Sequence, residues 1–122
     1  MKKSVLAIGL DPAFADAAHL GSLSADAVRS FVTGQLELLQ KRGYDVESCL
    51  LTPQAAAEQV LSGTLAARKF DCVLIGAGLR VDPSQLLLFE KVINLVHALA
   101  PAARICFNTS PGDSVAAVQR WL

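Results

Sequence analysis

Surplus charge is missing from this sequence. Its 11 lysines and arginines are matched by 11 aspartates and glutamates, and no run of Lys or Arg forms a basic stripe. No nucleic-acid partner is expected, because neutralising a phosphate backbone needs such a stripe. Long apolar runs are missing too: no stretch reaches the roughly 18 uncharged apolar residues of a membrane span. Met1-Lys2-Lys3 has the charge of a signal n-region, but Asp11 interrupts the apolar stretch behind it before any cleavage site appears. These absences predict a soluble, cytoplasmic chain with no membrane partner. Cysteine is scarce. Cys49, Cys72 and Cys106 show no CxxC or other metal-ligand spacing, and their odd number argues against a disulfide framework. Each falls in an expected strand and reads as a reduced, buried, small hydrophobe.

What is present is apolar. The 122 residues are 52% hydrophobic and 18% charged, as expected when a parallel sheet is covered on both faces. That length suits one domain over residues 1–122, able to bury a core without a metal or disulfide staple. Four apolar runs stand out: Ser4 to Leu10, Val46 to Leu51, Asp71 to Ile75, and Arg104 to Asn108. Helical patterns lie between them, and this alternation predicts βαβ units. Runs one and three are the most apolar and should be central. Glu47 and Ser48 in run two, and Arg104 opening run four, suit edges. Right-handed crossovers then favour a three-layer α/β fold with a four-stranded parallel sheet in the order 2-1-3-4.

Each apolar run is followed by a capping residue and proline: Asp11-Pro12, Thr52-Pro53, Asp82-Pro83 and Ser110-Pro111. Such pairs start helices, since the side-chain oxygen caps a free N–H and proline lacks one. Gln85 and Asp113 stand three residues after Asp82 and Ser110, as loose capping-box partners. The first helix should start near Ser24, after a long connection, carry Val28, Phe31, Val32, Leu36 and Leu39 inward, and stop at Gly43. The second should run from Pro53 to about Arg68, the third from Pro83 to Ala100, and the fourth from Pro111 onward. The third is apolar over well over half its circumference, whereas packing on one sheet face uses about a 100° stripe. The excess predicts a homodimer contact through Leu88, Val92, Leu95 and Leu99. It also permits a protein-interaction module built on helix 83–100.

Ligands of open α/β sheets bind beyond the carboxyl ends of the strands, where the strand order reverses. Between runs one and three this brings together Gly9, Asp11, Gly76, Gly78 and Arg80. Asn108, Thr109 and Ser110 come from the fourth strand end, and Thr52 from the second. Gly76-Ala77-Gly78 lets a ligand approach the backbone, although the third glycine of the dinucleotide fingerprint is replaced in Gly-Ala-Gly-Leu-Arg-Val, and no cofactor is expected. The planar fork of Arg80 suits a phosphate or carboxylate, with Asp82 as a competing partner. Asp11 is either a cap or an acid/base group, and His19 on the first connection is its candidate catalytic companion. His97 belongs to the polar stripe of the third helix. Cys106 is followed by Phe-Asn-Thr-Ser-Pro-Gly-Asp with no arginine, which excludes a phosphatase loop.

In size and alternation the chain resembles the flavodoxin-like fold lacking its fifth strand, and within it the response-regulator receiver domain, as small bacterial proteins on this fold do. Asp11 and Thr109 stand where a receiver carries an acidic residue after its first strand and a Thr or Ser after its fourth. Gly76-Ala77-Gly78 occupies the place of the phosphorylated Asp, and no fifth strand or lysine follows. Asp11-Pro12-Ala13-Phe14 replaces the Ser/Thr-rich phosphate loop of flavodoxins. The resemblance implies a fold, not an activity. The expectation drawn from the residues is a homodimeric domain binding an anionic metabolite through Arg80, Gly76, Gly78 and Asn108 or Thr109. The alternatives are a small hydrolase or transferase using Asp11 and His19, and the interaction module.

Overall fold

The computed structural model describes residues 2–14, 24–53 and 56–122. Strands β1 (Ser4–Leu10), β2 (Asp45–Leu51), β3 (Cys72–Ile75) and β4 (Arg104–Phe107) form one sheet in the order β2-β1-β3-β4. Every pairing is parallel: Ser4 stands beside Asp45, Val5 beside Cys72, and Cys72 beside Arg104. The central strands β1 and β3 are buried almost throughout, because helices cover both faces there. The edge strands β2 and β4 are only partly buried, which is where Glu47, Ser48 and Arg104 are tolerated. Arg120 donates to the Phe107 carbonyl at 2.9 Å, masking one acceptor on the free edge of β4.

Two cores lie against the two faces. Leu6, Ile8, Val73 and Ile75 point to one side, where α2 (Ala56–Ala67) contributes Leu61 and Leu65 and α4 (Leu86–Leu99) contributes Val92 and Val96. An ion pair from Lys91 to Glu58, 2.9 Å, joins these helices on their outer side. Val5, Ala7, Cys72, Leu74 and Cys106 point to the other side, under α1 (Ala25–Lys41) and α5 (Ser114–Gln119). The result is the three-layer α/β arrangement that the alternation of runs predicts. Among the described residues no helix is long and apolar enough to cross a membrane.

Local chemistry sets the helix ends. The Ser24 hydroxyl accepts the Ala27 N–H at 3.0 Å and caps α1, with Asp26 in the first turn and Lys41 in the last in the sense that favours the helix dipole. Gly43, at φ 96°, turns the chain out of α1, a conformation that an L side chain resists. The proline pairs behave differently from the expected helix starts. Pro12–Phe14, Pro83–Gln85 and Pro111–Asp113 are single 3-10 turns, and the last two lead directly into α-helix. The short caps reach just two residues ahead, and such bonds close a tight turn rather than a helical one. Asp11 accepts the Ala13 N–H at 3.0 Å, Asp82 the Ser84 N–H at 2.9 Å, and the Ser110 hydroxyl the Gly112 N–H at 3.2 Å. Asp82 also accepts the Ser84 hydroxyl at 2.7 Å. Ser110 and Asp113 form half of a capping box: Asp113 accepts the Ser110 N–H at 3.2 Å, while the Ser110 hydroxyl takes Gly112.

The apolar helix α4 is only partly accounted for by the core. Val92 is 1% exposed and Leu88 and Leu95 pack against the core of this same chain, while Leu86, Leu87 and Leu99 are 58%, 64% and 45% exposed. Of the four residues expected at a dimer contact, Leu99 is the one that stands clearly outward.

Candidate functional site

Side-chain size decides where α1 fits the sheet. At its carboxyl half Leu39 is fully buried against the amino ends of the strands, with Val5 and Cys72 in the same cluster. Toward its start the facing residues shrink to Ala7 and Gly9 on β1 and Ser48 on β2. The helix therefore stands off the sheet and leaves a cavity of about 490 Å³. Its walls are Val28, Phe31, Val32 and Leu36 of α1, facing Leu50 and Leu74. Gly76, Gly78, Asn108, Thr109 and Ser110 form its rim at the carboxyl ends of β3 and β4. The cavity thus lies at the reversal of strand order between β1 and β3, where the sequence places a crevice.

Asn108 organises the rim. It is 6% exposed. Its Oδ1 accepts the Ala77 N–H at 2.8 Å, and its Nδ2 donates to the Ser114 hydroxyl at 3.1 Å. The same residue's main-chain carbonyl accepts from the Arg80 guanidinium. Both contacts tie the one-turn helix α3 (Ala77–Arg80) to the end of β4, so Gly76 and Gly78 are held in place by hydrogen bonds. A side chain on Gly76 would lie 3.4 Å from the Ile8 carbonyl, against the backbone of β1. Thr109 donates its hydroxyl to Asp113 at 2.7 Å, and that bond, with the N–H groups of Ser110 and Thr109, holds the Asp113 carboxyl below its ordinary range.

Arg80 serves the rim and not the cavity. Its guanidinium lies over the Phe107 ring, 5.1 Å from the centroid, and bonds the Asn108 carbonyl; it is absent from the cavity lining. Burial pushes its pKa down, opposed by Asp113. The cation that does line the cavity is Arg29, which sequence reasoning passed over. It sits on α1 between Val28 and Ser30, and the helix's periodicity assigns that position to the boundary of the inward stripe. Only the fold shows that the boundary faces an opening. Arg29 bonds Asp11 at 2.6 Å and Asp26 at 2.9 Å.

Asp11 stands just beyond the cavity wall, accepting from Ala13 and Arg29; the Ala13 N–H first and then Arg29 lower its pKa. A carboxylate held ionised in this way is suited to orienting Arg29, and unsuited to carrying a proton near neutral pH. His19 lies outside the described residues. Thr52 is half-buried and stands outside the cavity lining. Among the described residues no group of three or more His, Cys, Asp or Glu converges to hold a metal. The cavity lining thus includes Gly9, Gly76, Gly78, Asn108 and Thr109 of the residues singled out in the sequence, and its cation is Arg29, not Arg80.

The fold and this site define a class: a parallel α/β domain with the strand order of flavodoxin-like sheets, ending at the fourth strand, and with an open crevice at its switch point. No family model and no curated protein matches the chain.

Proposed function

We propose that this is a small-molecule-binding domain whose ligand occupies the crevice beneath the first half of α1. The observation that carries the reading is the crevice itself, about 490 Å³ between α1 and a floor of Ala7, Gly9 and Ser48. That volume is within the roughly 300–1,000 Å³ of ordinary ligand sites, and its place at the strand ends is where open α/β sheets bind their ligands. The α1 wall and Leu50 and Leu74 supply apolar surface, which favours a ligand with an apolar body. Asn108, Thr109 and Ser110 supply polar groups at one end, which orient it.

The test is a variant that fills the space without disturbing the strand. A Cβ on Gly9 would lie 3.4 Å from the flexible tip of Leu50 and meet nothing closer, so Gly9→Val places two methyls in the crevice. Small molecules retained by the purified wild-type chain are identified by mass spectrometry and then titrated in a thermal-shift assay. Compounds that stabilise the wild type and not Gly9→Val are expected. Equal stabilisation of both, or no stabilising compound at all, overturns the assignment.

A further inference from the structure

We infer that the ligand of this crevice is a small organic monoanion, an apolar body with one carboxylate or sulfonate, whose head takes Asp26's place on Arg29. The inference deepens the binding reading above and rests on it.

Among the described residues, Arg29 is the one charged side chain lining the crevice. Its two carboxylate partners are not equivalent. Asp11 has a side chain 27% exposed and is fixed by the Ala13 N–H, so its 2.6 Å bond anchors one end of the guanidinium. Asp26, one turn back on α1, is 94% exposed. An exposed ion pair of this spacing contributes little, because water competes for both charges and the side chains lose freedom to meet. One edge of the fork is therefore held in place while the other has a partner that leaves easily. An anion with two oxygens side by side, a carboxylate or a sulfonate, suits that edge, since guanidinium pairs best through two parallel N–H bonds.

Charge balance sets the valence. Arg29, Asp11 and Asp26 together carry one negative charge, and a displaced Asp26 stays tethered one turn away, so each charge on the ligand beyond the one that pairs with Arg29 is opposed. A phosphate monoester, with nearly two charges, would bring an excess negative charge beside Asp11 and Asp26, and no second cation among the described lining residues meets it. The rest of the ligand faces Phe31, Val32, Leu36, Leu50 and Leu74, which favour hydrocarbon.

A matched pair of fluorescent probes tests this: anilinonaphthalenesulfonate, and phenylnaphthylamine, which has the same rings and no sulfonate. Each is titrated into the wild type, Arg29→Gln, Asp26→Asn and Gly9→Val, all checked for native circular dichroism. The sulfonate is expected to bind at one saturable site, about tenfold or more weaker in Arg29→Gln, the scale of a lost charge-assisted bond. It should bind more tightly in Asp26→Asn, where its competitor is gone; a side chain with only a structural part in the fold would not produce that gain. The neutral probe should be indifferent to both changes. If both probes respond alike to Arg29→Gln, or if Asp26→Asn leaves sulfonate binding unchanged or weaker, the anion inference fails while crevice binding stands. Should Arg29→Gln not fold, the Asp26→Asn comparison decides alone. If neither probe binds the wild type, or if Gly9→Val binds both as well as the wild type does, the crevice reading itself fails.

Discussion

Asn108 and Ala77 are joined by a 2.8 Å hydrogen bond from the Ala77 N–H to the Asn108 side-chain oxygen, across 31 residues of sequence. Through that bond the end of the edge strand β4 positions the turn that follows the central strand β3. Residues from two crossovers meet at one rim because of it. Asn108→Ala removes the acceptor of the Ala77 N–H in a part-buried setting and one bond of the Ser114 hydroxyl. The expected cost is about 1–3 kcal/mol, read as a lower denaturant midpoint with an unchanged slope. A variant as stable as the wild type would mean that water replaces the amide fully.

Gly43 gives a second, purely conformational prediction. Its φ of 96° lies where a Cβ is strained, and nothing lies within 4 Å of the position a Cβ would take. Gly43→Ala should therefore destabilise by roughly 1–2 kcal/mol through the backbone alone. Gly34, in the middle of α1 with equally open surroundings and an ordinary helical setting, should respond to the same change by gaining roughly 0.5–1 kcal/mol. Thermal melts of the two variants should move in opposite directions.

Asp113 makes the fold acid-sensitive. In the folded chain its carboxyl is held below the ordinary 3.8, first by the Thr109 hydroxyl and then by main-chain N–H groups. A depressed folded pKa means that the unfolded chain binds the proton more readily. The stability from Asp113 is thus fully present above pH 3.8 and is lost as pH falls through the lowered folded value. Asp71, held down mainly by the Ser4 N–H, and Asp11 act in the same direction. Asp113→Asn should lower stability at neutral pH and flatten the decline of stability with acid, measured by denaturant midpoints across pH. An unchanged acid slope would show that Asp113 does not share in it.

The cysteines should be chemically silent. Cys49, Cys72 and Cys106 are free and 5%, 0% and 0% exposed. Cys72 and Cys106 share a hydrogen bond with their sulfurs 3.3 Å apart. That bond, and then burial, push the Cys106 thiol up, while burial does the same for Cys49. The reactive species is the thiolate, so a water-soluble disulfide reagent should label no thiol in the native chain and all 3 after denaturation. Rapid labelling of the native chain would mean that the strands β3 and β4 part readily.

The architecture was readable from hydrophobic density. Val5 to Ile8 and Cys72 to Ile75 are apolar at every position, which a strand tolerates only with helices on both faces. Glu47 and Arg104 mark strands with an open side. The caps were readable as well: Ser24 starts α1 and Gly43 ends it, because each acts through bonds or torsions within a few residues. The proline pairs were half legible. The chemistry that begins a helix also closes a 3-10 turn, and the turns at Pro83–Gln85 and Pro111–Asp113 run on into α-helix. The polar rim at Gly76, Gly78, Asn108 and Thr109 came from topology alone.

Hydrophobic periodicity and local hydrogen bonding act over neighbouring residues, and so the sequence by itself determined which segments are strands and helices, their order in the sheet and the polar rim at the strand ends. The choice of cation at that rim belonged to the tertiary structure. Arg80 and Arg29 are both arginines at plausible places in the chain. The first is spent on a carbonyl and a ring of β4, while the second overlooks the space left above Ala7 and Gly9. That difference arises from how far α1 stands off the sheet, a distance set by side chains separated by tens of residues and invisible until they are packed together.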